Sequence, residues 1–233
     1  MSEAAYKQRR GEIQTYFDRT AVEAWKRFAT DAPLGRIRAT VREGRGRMRA
    51  LILSRFPDNL SGWRILDAGC GTGAMSVELA RRGADVLGVD IAPEIIRFAR
   101  ETAPANMGPG KIDFVAGDML SRHHGHFDAI VAMDSLIHYR MEDCVAALDS
   151  LSSRTRRLIV FTFAPSTPLL AAMHLAGRLF PRADRAPSIV PTRPQALRAE
   201  LDRQLVAQIW SPGLTERISH GFYKSQMMEL ART

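Results

Sequence analysis

Nothing constrains this chain more than the run Leu66-Asp67-Ala68-Gly69-Cys70-Gly71-Thr72-Gly73. It follows a short apolar run at 63–66 and opens into a helix-forming stretch at 74–82. Glycines at alternate positions let the backbone turn sharply from strand to helix and approach a ligand closely. The spacing of Gly69, Gly71 and Ala74 also satisfies a dinucleotide fingerprint, so the glycines alone do not choose a cofactor. Asp67 does. An ionised carboxylate repels a pyrophosphate but suits the amino group of S-adenosylmethionine (SAM), which puts SAM ahead of NAD.

At 233 residues the chain is expected to form one domain with a substantial core. Its composition, 45% hydrophobic and 25% charged, is that of an ordinary globular protein. Two cysteines, Cys70 and Cys144, suggest neither a disulfide framework nor a zinc site, and no metal site is expected. A reducing, cytoplasmic setting is the default. The opening MSEAAYKQRR leads into a polar helix and is not read as a signal peptide. The longest apolar stretch, 168–180, is broken by His174 and Arg178 and is too short to cross a bilayer, which leaves peripheral association with the inner membrane. A net charge of +8 suits nucleic acid, anionic lipid or an acidic small molecule, and equally an arginine-rich solvated surface.

Residues 1–57 read as helical. Ile13, Tyr16, Phe17, Ala21, Trp25 and Phe28 recur near helical spacing. A second stretch, 34–56, carries Ile37, Val41, Met48, Leu51 and Ile52, with Gly44 and Gly46 expected to weaken or break it. Pro57-Asp58-Asn59 and Ser61-Gly62 mark a loop. Strands are then predicted over 63–67, 85–89, 112–115, 127–133 and 158–163, with helices over 74–82, 93–101 and 141–152. Such alternation implies a parallel sheet covered on both faces. Runs at 205–210 and 221–228, after a helix at 194–203, read as a closing hairpin. Between them and the fifth strand, 164–194 reads as an insert: Thr167-Pro168 opens a helix, and Pro187, Pro191 and Pro194 return the chain. Inserts at strand ends commonly shape pockets.

Ligands of open α/β sheets bind beyond the carboxyl ends of the strands. Asp90 closes the second strand, where a carboxylate can accept both hydroxyls of a ribose. Asp118 follows the third, in Ala116-Gly117-Asp118-Met119, where it can accept from an adenine amino group while Met119 packs on the ring.

In this order, these residues resemble the class I SAM-dependent methyltransferases over roughly 60–165. The resemblance implies an α/β, Rossmann-like, seven-stranded sheet whose last strand is antiparallel. It implies that Gly69, Cys70, Gly71 and Gly73 line the methionine part of SAM, with Asp67 nearby. Asp90 and Ile91 would hold the ribose, Gly117, Asp118 and Met119 would flank the adenine, and Asp134 would continue the wall.

The run Met133-Asp134-Ser135-Leu136-Ile137-His138-Tyr139 is not the Asn/Asp-Pro-Pro-aromatic pattern of base-methylating enzymes, and no basic tract interleaves with aromatics. Nucleic acid is therefore not the expected partner. Nearly the whole chain is similar to the magnesium-protoporphyrin IX O-methyltransferases of bacteriochlorophyll and chlorophyll synthesis. The shared runs are Tyr16-Phe17, Trp25, Arg42-Glu43-Gly44-Arg45, Leu60-Ser61-Gly62, 134–139, Phe161-Thr162-Phe163-Ala164-Pro165 and Gly177-Arg178-Leu179-Phe180-Pro181. The family's usual isoleucine-tyrosine pair after the Trp helix is Arg27-Phe28 here.

The implied substrate is magnesium-protoporphyrin IX, methylated on one propionate, with a magnesium-chelatase subunit as a potential donor of pigment. His138 and Tyr139 become the acceptor-side catalytic candidates, and Tyr16 and Trp25 lie near SAM. The helical cap 1–57 and the insert 164–194, through Leu169, Leu170, Met173, Leu175 and Phe180, would supply the apolar slot. Arg36, Arg38, Arg42, Arg178 and Arg182 are candidates for the second propionate. The competing readings are a methyltransferase for a quinone-like acceptor, a non-catalytic SAM- or porphyrin-binding module, and an RNA methyltransferase.

Overall fold

In the computed structural model, residues 11, 36–166, 189–205 and 209–232 are described. The expected first helix with Tyr16 and Trp25, the pair Arg27-Phe28, and residues 167–188 of the insert with Arg178 and Arg182 lie outside them, as do the side chains of Arg36 and Arg38.

The strands follow from runs that are apolar on both faces. In β1 (Arg64–Ala68), Ile65 faces one core cluster while Leu66 and Ala68 face another. In β2 (Asp85–Asp90) Val86 and Leu87 divide the same way, as do Ala129 and Ile130 in β4 (Phe127–Ala132) and Val160 and Phe161 in β5 (Thr155–Phe163). Successive side chains of a strand point to opposite faces, so such runs need cover on both. Helices α1 (Arg36–Leu53) and α2 (Ala74–Arg81) cover one face through Met48, Ile52, Met75 and Leu79. Helices α4 (Met141–Ser152) and α5 (Pro194–Leu205) cover the other through Val145, Leu148, Leu197 and Leu201. Between them in sequence lie α3 (Pro93–Thr102) and β3 (Lys111–Ala116), joined by Ile96, Ala99 and Phe114.

The seven strands are ordered β3-β2-β1-β4-β5-β7-β6, with β7 (Tyr223–Arg232) antiparallel to β5 and to β6 (Trp210–His220). This is the expected sheet. Strand order reverses between β1 and β4, which pair in parallel. A crevice opens at the carboxyl ends of two such strands, and ligands of these sheets sit there.

Three expectations are corrected. Helix α1 runs unbroken through Gly44 and Gly46. A Cβ on Gly44 would stand 2.6 Å from the Tyr223 Cβ, so the glycine lets α1 lie directly on β7. Close packing outweighs a helix-propensity cost of about 1 kcal/mol. The penultimate strand spans Trp210–His220 rather than 205–210, and Leu205 ends α5. β6 is a sheet edge, polar and interrupted by a register shift between Pro212 and Thr215, which is why no apolar run announced it. β5 begins at Thr155, which pairs with Phe127 of β4, ahead of the apolar run expected to start it at 158.

Candidate active site

The loop after β1 is locked to β2. The Gly69 and Cys70 N–H groups both donate to the Val89 carbonyl, at 2.8 and 3.1 Å. The next N–H, of Gly71, donates to Asp90 Oδ2 at 2.9 Å, while Ala92 N–H donates to Oδ1 at 3.0 Å. Asp90 is therefore oriented by backbone groups at the mouth of the crevice. Gly69 and Gly71 have φ of 79° and 55°, the left-handed region that favours glycine. Among the described residues nothing lies within 4 Å of where a Gly71 Cβ would stand, and the same holds for Gly117 after β3, so both backbones have room for a ligand against them.

Asp67 lies beneath this loop, buried, accepting from the Ser76 hydroxyl at 2.6 Å. Burial pushes its carboxyl up to about 6, the Ser76 hydrogen bond opposes the rise, and the charge of Asp90 adds to it. A cation brought to this site would reverse the shift. Burial, and then the charges of Asp67 and Asp90, hold the Cys70 thiol well above its ordinary range, so Cys70 acts as a small filler.

Beyond β3, Asp118 Oδ1 accepts from Leu120 N–H at 2.9 Å and its carbonyl meets His124 Nε2 at 2.9 Å. Met119 is buried. The loop is held from below by Arg154, which donates to the Met119 carbonyl at 2.5 Å and to the Ser121 carbonyl. Sequence reasoning missed Arg154, because an arginine preceding a strand carries no signal of what it reaches.

Asp134 follows β4 with φ 55°. Its N–H donates to Thr162 Oγ1 at 2.7 Å. Its carboxylate accepts from the Tyr223 and Ser225 hydroxyls and lies 3.6 Å from Arg45 Nε. The side chain is thus engaged with β5, β7 and α1, while its backbone follows the strand end beside the loop. Ser135 stands against Gly69, and the 3₁₀ turn Leu136–His138 comes next. His138 and Tyr139 are both buried, Tyr139 within the core cluster that holds Leu136 and Cys144. Both ends of the 164–194 segment are fastened here: Val190 N–H donates to the Ile137 carbonyl at 2.8 Å, and Thr192 N–H to Ala164 at 2.8 Å. Among the arginines expected near an acceptor, Arg42 is exposed on α1. Arg45, which was not among them, is the one that reaches Asp134.

Among the described residues, no helix is long and apolar enough to cross a membrane, and no group of three or more His, Cys, Asp or Glu is placed to hold a metal ion.

Two family profiles match the chain: "Methyltransferase domain" over 65–157, and "Magnesium-protoporphyrin IX methyltransferase C-terminus" over 132–232. The magnesium-protoporphyrin O-methyltransferase of Rhodobacter capsulatus is 46% identical over 225 residues, covering 96% of this chain and 97% of that protein. The crystal structure of the Synechocystis magnesium protoporphyrin IX methyltransferase with bound S-adenosylhomocysteine (SAH) superposes with a TM-score of 0.82 at 28% identity, covering 96% of this chain and 99% of that one. A ubiquinone biosynthesis O-methyltransferase of Xylella fastidiosa is 38% identical over 132 residues, covering 54% of this chain and 50% of that protein.

Proposed function

This chain belongs to the magnesium-protoporphyrin O-methyltransferase family, and on that premise we propose that it transfers the SAM methyl group to one propionate of magnesium-protoporphyrin IX, giving the monomethyl ester and SAH. The observation that carries the reading is the meeting, at the reversal of strand order, of an open glycine loop, the backbone-held Asp90 and the turn bearing His138. Likeness along the whole chain, beyond the cofactor half, favours the tetrapyrrole over a quinone.

When bound, SAM supplies a methyl carbon made electrophilic by its sulfonium. The room beside Gly71 and the buried Asp67 fit its cationic amino-acid end. In the proposed assignment Gly69, Cys70, Gly71 and Gly73 line that end, Asp90 and Ile91 hold the ribose, and Gly117, Asp118 and Met119 flank the adenine. The Asp134 carboxylate contributes by fixing the strand end from behind. A propionate is ionised near neutral pH, so the nucleophile needs no strong base. One carboxylate oxygen bonds to the methyl carbon as the carbon–sulfur bond breaks, and the bonding pair leaves with sulfur. The protein's task is alignment in a site closed to water. His138, with Tyr139 behind it, orients the propionate.

The cap 1–57 and the insert 164–194 complete the acceptor pocket in this reading, supported by the fastening of both insert ends beside the His138 turn. Delivery by a magnesium-chelatase subunit and peripheral contact with an anionic membrane are extensions of the proposal, and the net charge of +8 supports the second.

The test is an assay with methyl-labelled SAM offered magnesium-protoporphyrin IX or a catechol quinol. Label in the porphyrin monomethyl ester is the expected result; label in the quinol product alone overturns the substrate.

A further inference from the structure

We propose that Ser135 is a cofactor-binding residue whose hydroxyl holds the charged amino-acid end of SAM. The inference rests on reading the 69–73 loop as the cofactor cradle. The Ser135 oxygen is shut off from solvent and makes no hydrogen bond among the described residues. A serine heading a short helix ordinarily turns its oxygen onto the first free backbone N–H groups. Ser135 heads the turn Leu136–His138 and makes no such bond. Its side chain sits instead in the notch left by the absent side chain of Gly69: a Cβ there would lie 2.3 Å from the Ser135 Cβ and 3.2 Å from its Oγ.

This placement is enforced from behind. Asp134 turns the backbone through φ 55°, with its N–H on Thr162 and its carboxylate held by Tyr223, Ser225 and Arg45. Two consecutive side chains therefore part company, Asp134 going to β7 and Ser135 to the glycine loop. Burying a hydroxyl without a partner is unfavourable and calls for an explanation where it occurs. A ligand at the loop provides one. The amino-acid end of SAM carries an ammonium and a carboxylate, and a hydroxyl can accept from the first or donate to the second.

The experiment is calorimetry on the full chain with SAH and with 5′-methylthioadenosine, which keeps the nucleoside and thioether but lacks the amino-acid end. Ser135→Ala is expected to weaken SAH on the order of tenfold, the worth of one hydrogen bond to a charged group, and to leave 5′-methylthioadenosine unchanged. The ligand-free variant should melt no lower than the parent. Unchanged SAH affinity, or equal weakening of both ligands, overturns the proposal. Asp90→Ala runs alongside and should weaken both ligands. If it weakens neither, the cradle reading fails, and this inference fails with it. Should Ser135→Ala not fold, Ser135→Cys keeps the side-chain shape at a slightly larger size, weakens the donor and gives the same comparison.

Discussion

The Tyr223 hydroxyl donates to both carboxylate oxygens of Asp134, at 3.1 and 3.2 Å, across 89 residues of sequence. Burial, reinforced by the charge of Asp134, keeps that phenol protonated well past its ordinary range. It is a permanent donor. Tyr223→Phe leaves the carboxylate, among the described residues, the hydroxyls of Ser225 and Thr162 and the more distant Arg45. The expected loss is about 1–3 kcal/mol, read as a lower urea midpoint at unchanged slope.

The two helix glycines should respond oppositely to alanine. At Gly46 no described residue stands within 4 Å of the new methyl, so Gly46→Ala should stabilise by about 0.5–1 kcal/mol. At Gly44 the methyl meets the Tyr223 side chain at 2.6–2.8 Å, and Gly44→Ala should destabilise by about 1–3 kcal/mol. Matched denaturation curves decide it; equal signs would remove the close seat of α1 on β7.

Asp67 makes stability depend on pH with a definite sign. Its folded carboxyl titrates at about 6, against an ordinary 3.8, so the folded form binds the proton more tightly. Stability from this group is greatest below about pH 4 and falls as pH rises through 6, by about 3 kcal/mol in total. Asp67→Asn should abolish that fall, measured as the difference between the two stability curves from pH 4 to 7. A cationic ligand end beside Asp67 should also expel its proton. SAH binding near pH 6 is therefore expected to release protons in the parent and not in the variant, seen as a buffer-dependent enthalpy.

Neither cysteine should react in the folded state. Cys70 is held protonated well above its ordinary value, and burial pushes Cys144 up to about 12. A thiol-exchange reagent should count no thiols in buffer and both in urea.

His138→Ala should lower turnover on the order of tenfold or more while SAH affinity stays unchanged. The opposite split would move His138 from the acceptor to the cofactor.

How much of this was legible depends on where the determining contacts lie. The central strands announce themselves because each carries apolar residues for both faces, as Ile65 and Leu66 do. The glycine loop and Asp90 are close in sequence and in space, so their partnership could be read. The Asp134 network could not, since Thr162, Tyr223 and Ser225 stand 28, 89 and 91 residues away. Gly44 was misjudged for the same reason: intrinsic propensity speaks against it, and its justification lies in a strand near the other end of the sequence. β6 escaped notice because an edge strand with four successive exposed residues, Leu214–Arg217, has no apolar run to show.

The sheet order has a bearing on how the molecule is made. β7 is inserted between β5 and β6 and also carries the surface on which α1 rests, yet it is translated after all of them. Until that segment is made, β5 lacks its partner on that side, α1 lacks the part of its seat that Tyr223 and Met227 provide, and Asp134 lacks its phenol. The cleft is therefore finished only after every other strand of the sheet has been made, and the β5 edge stays open to other pairing until β7 arrives.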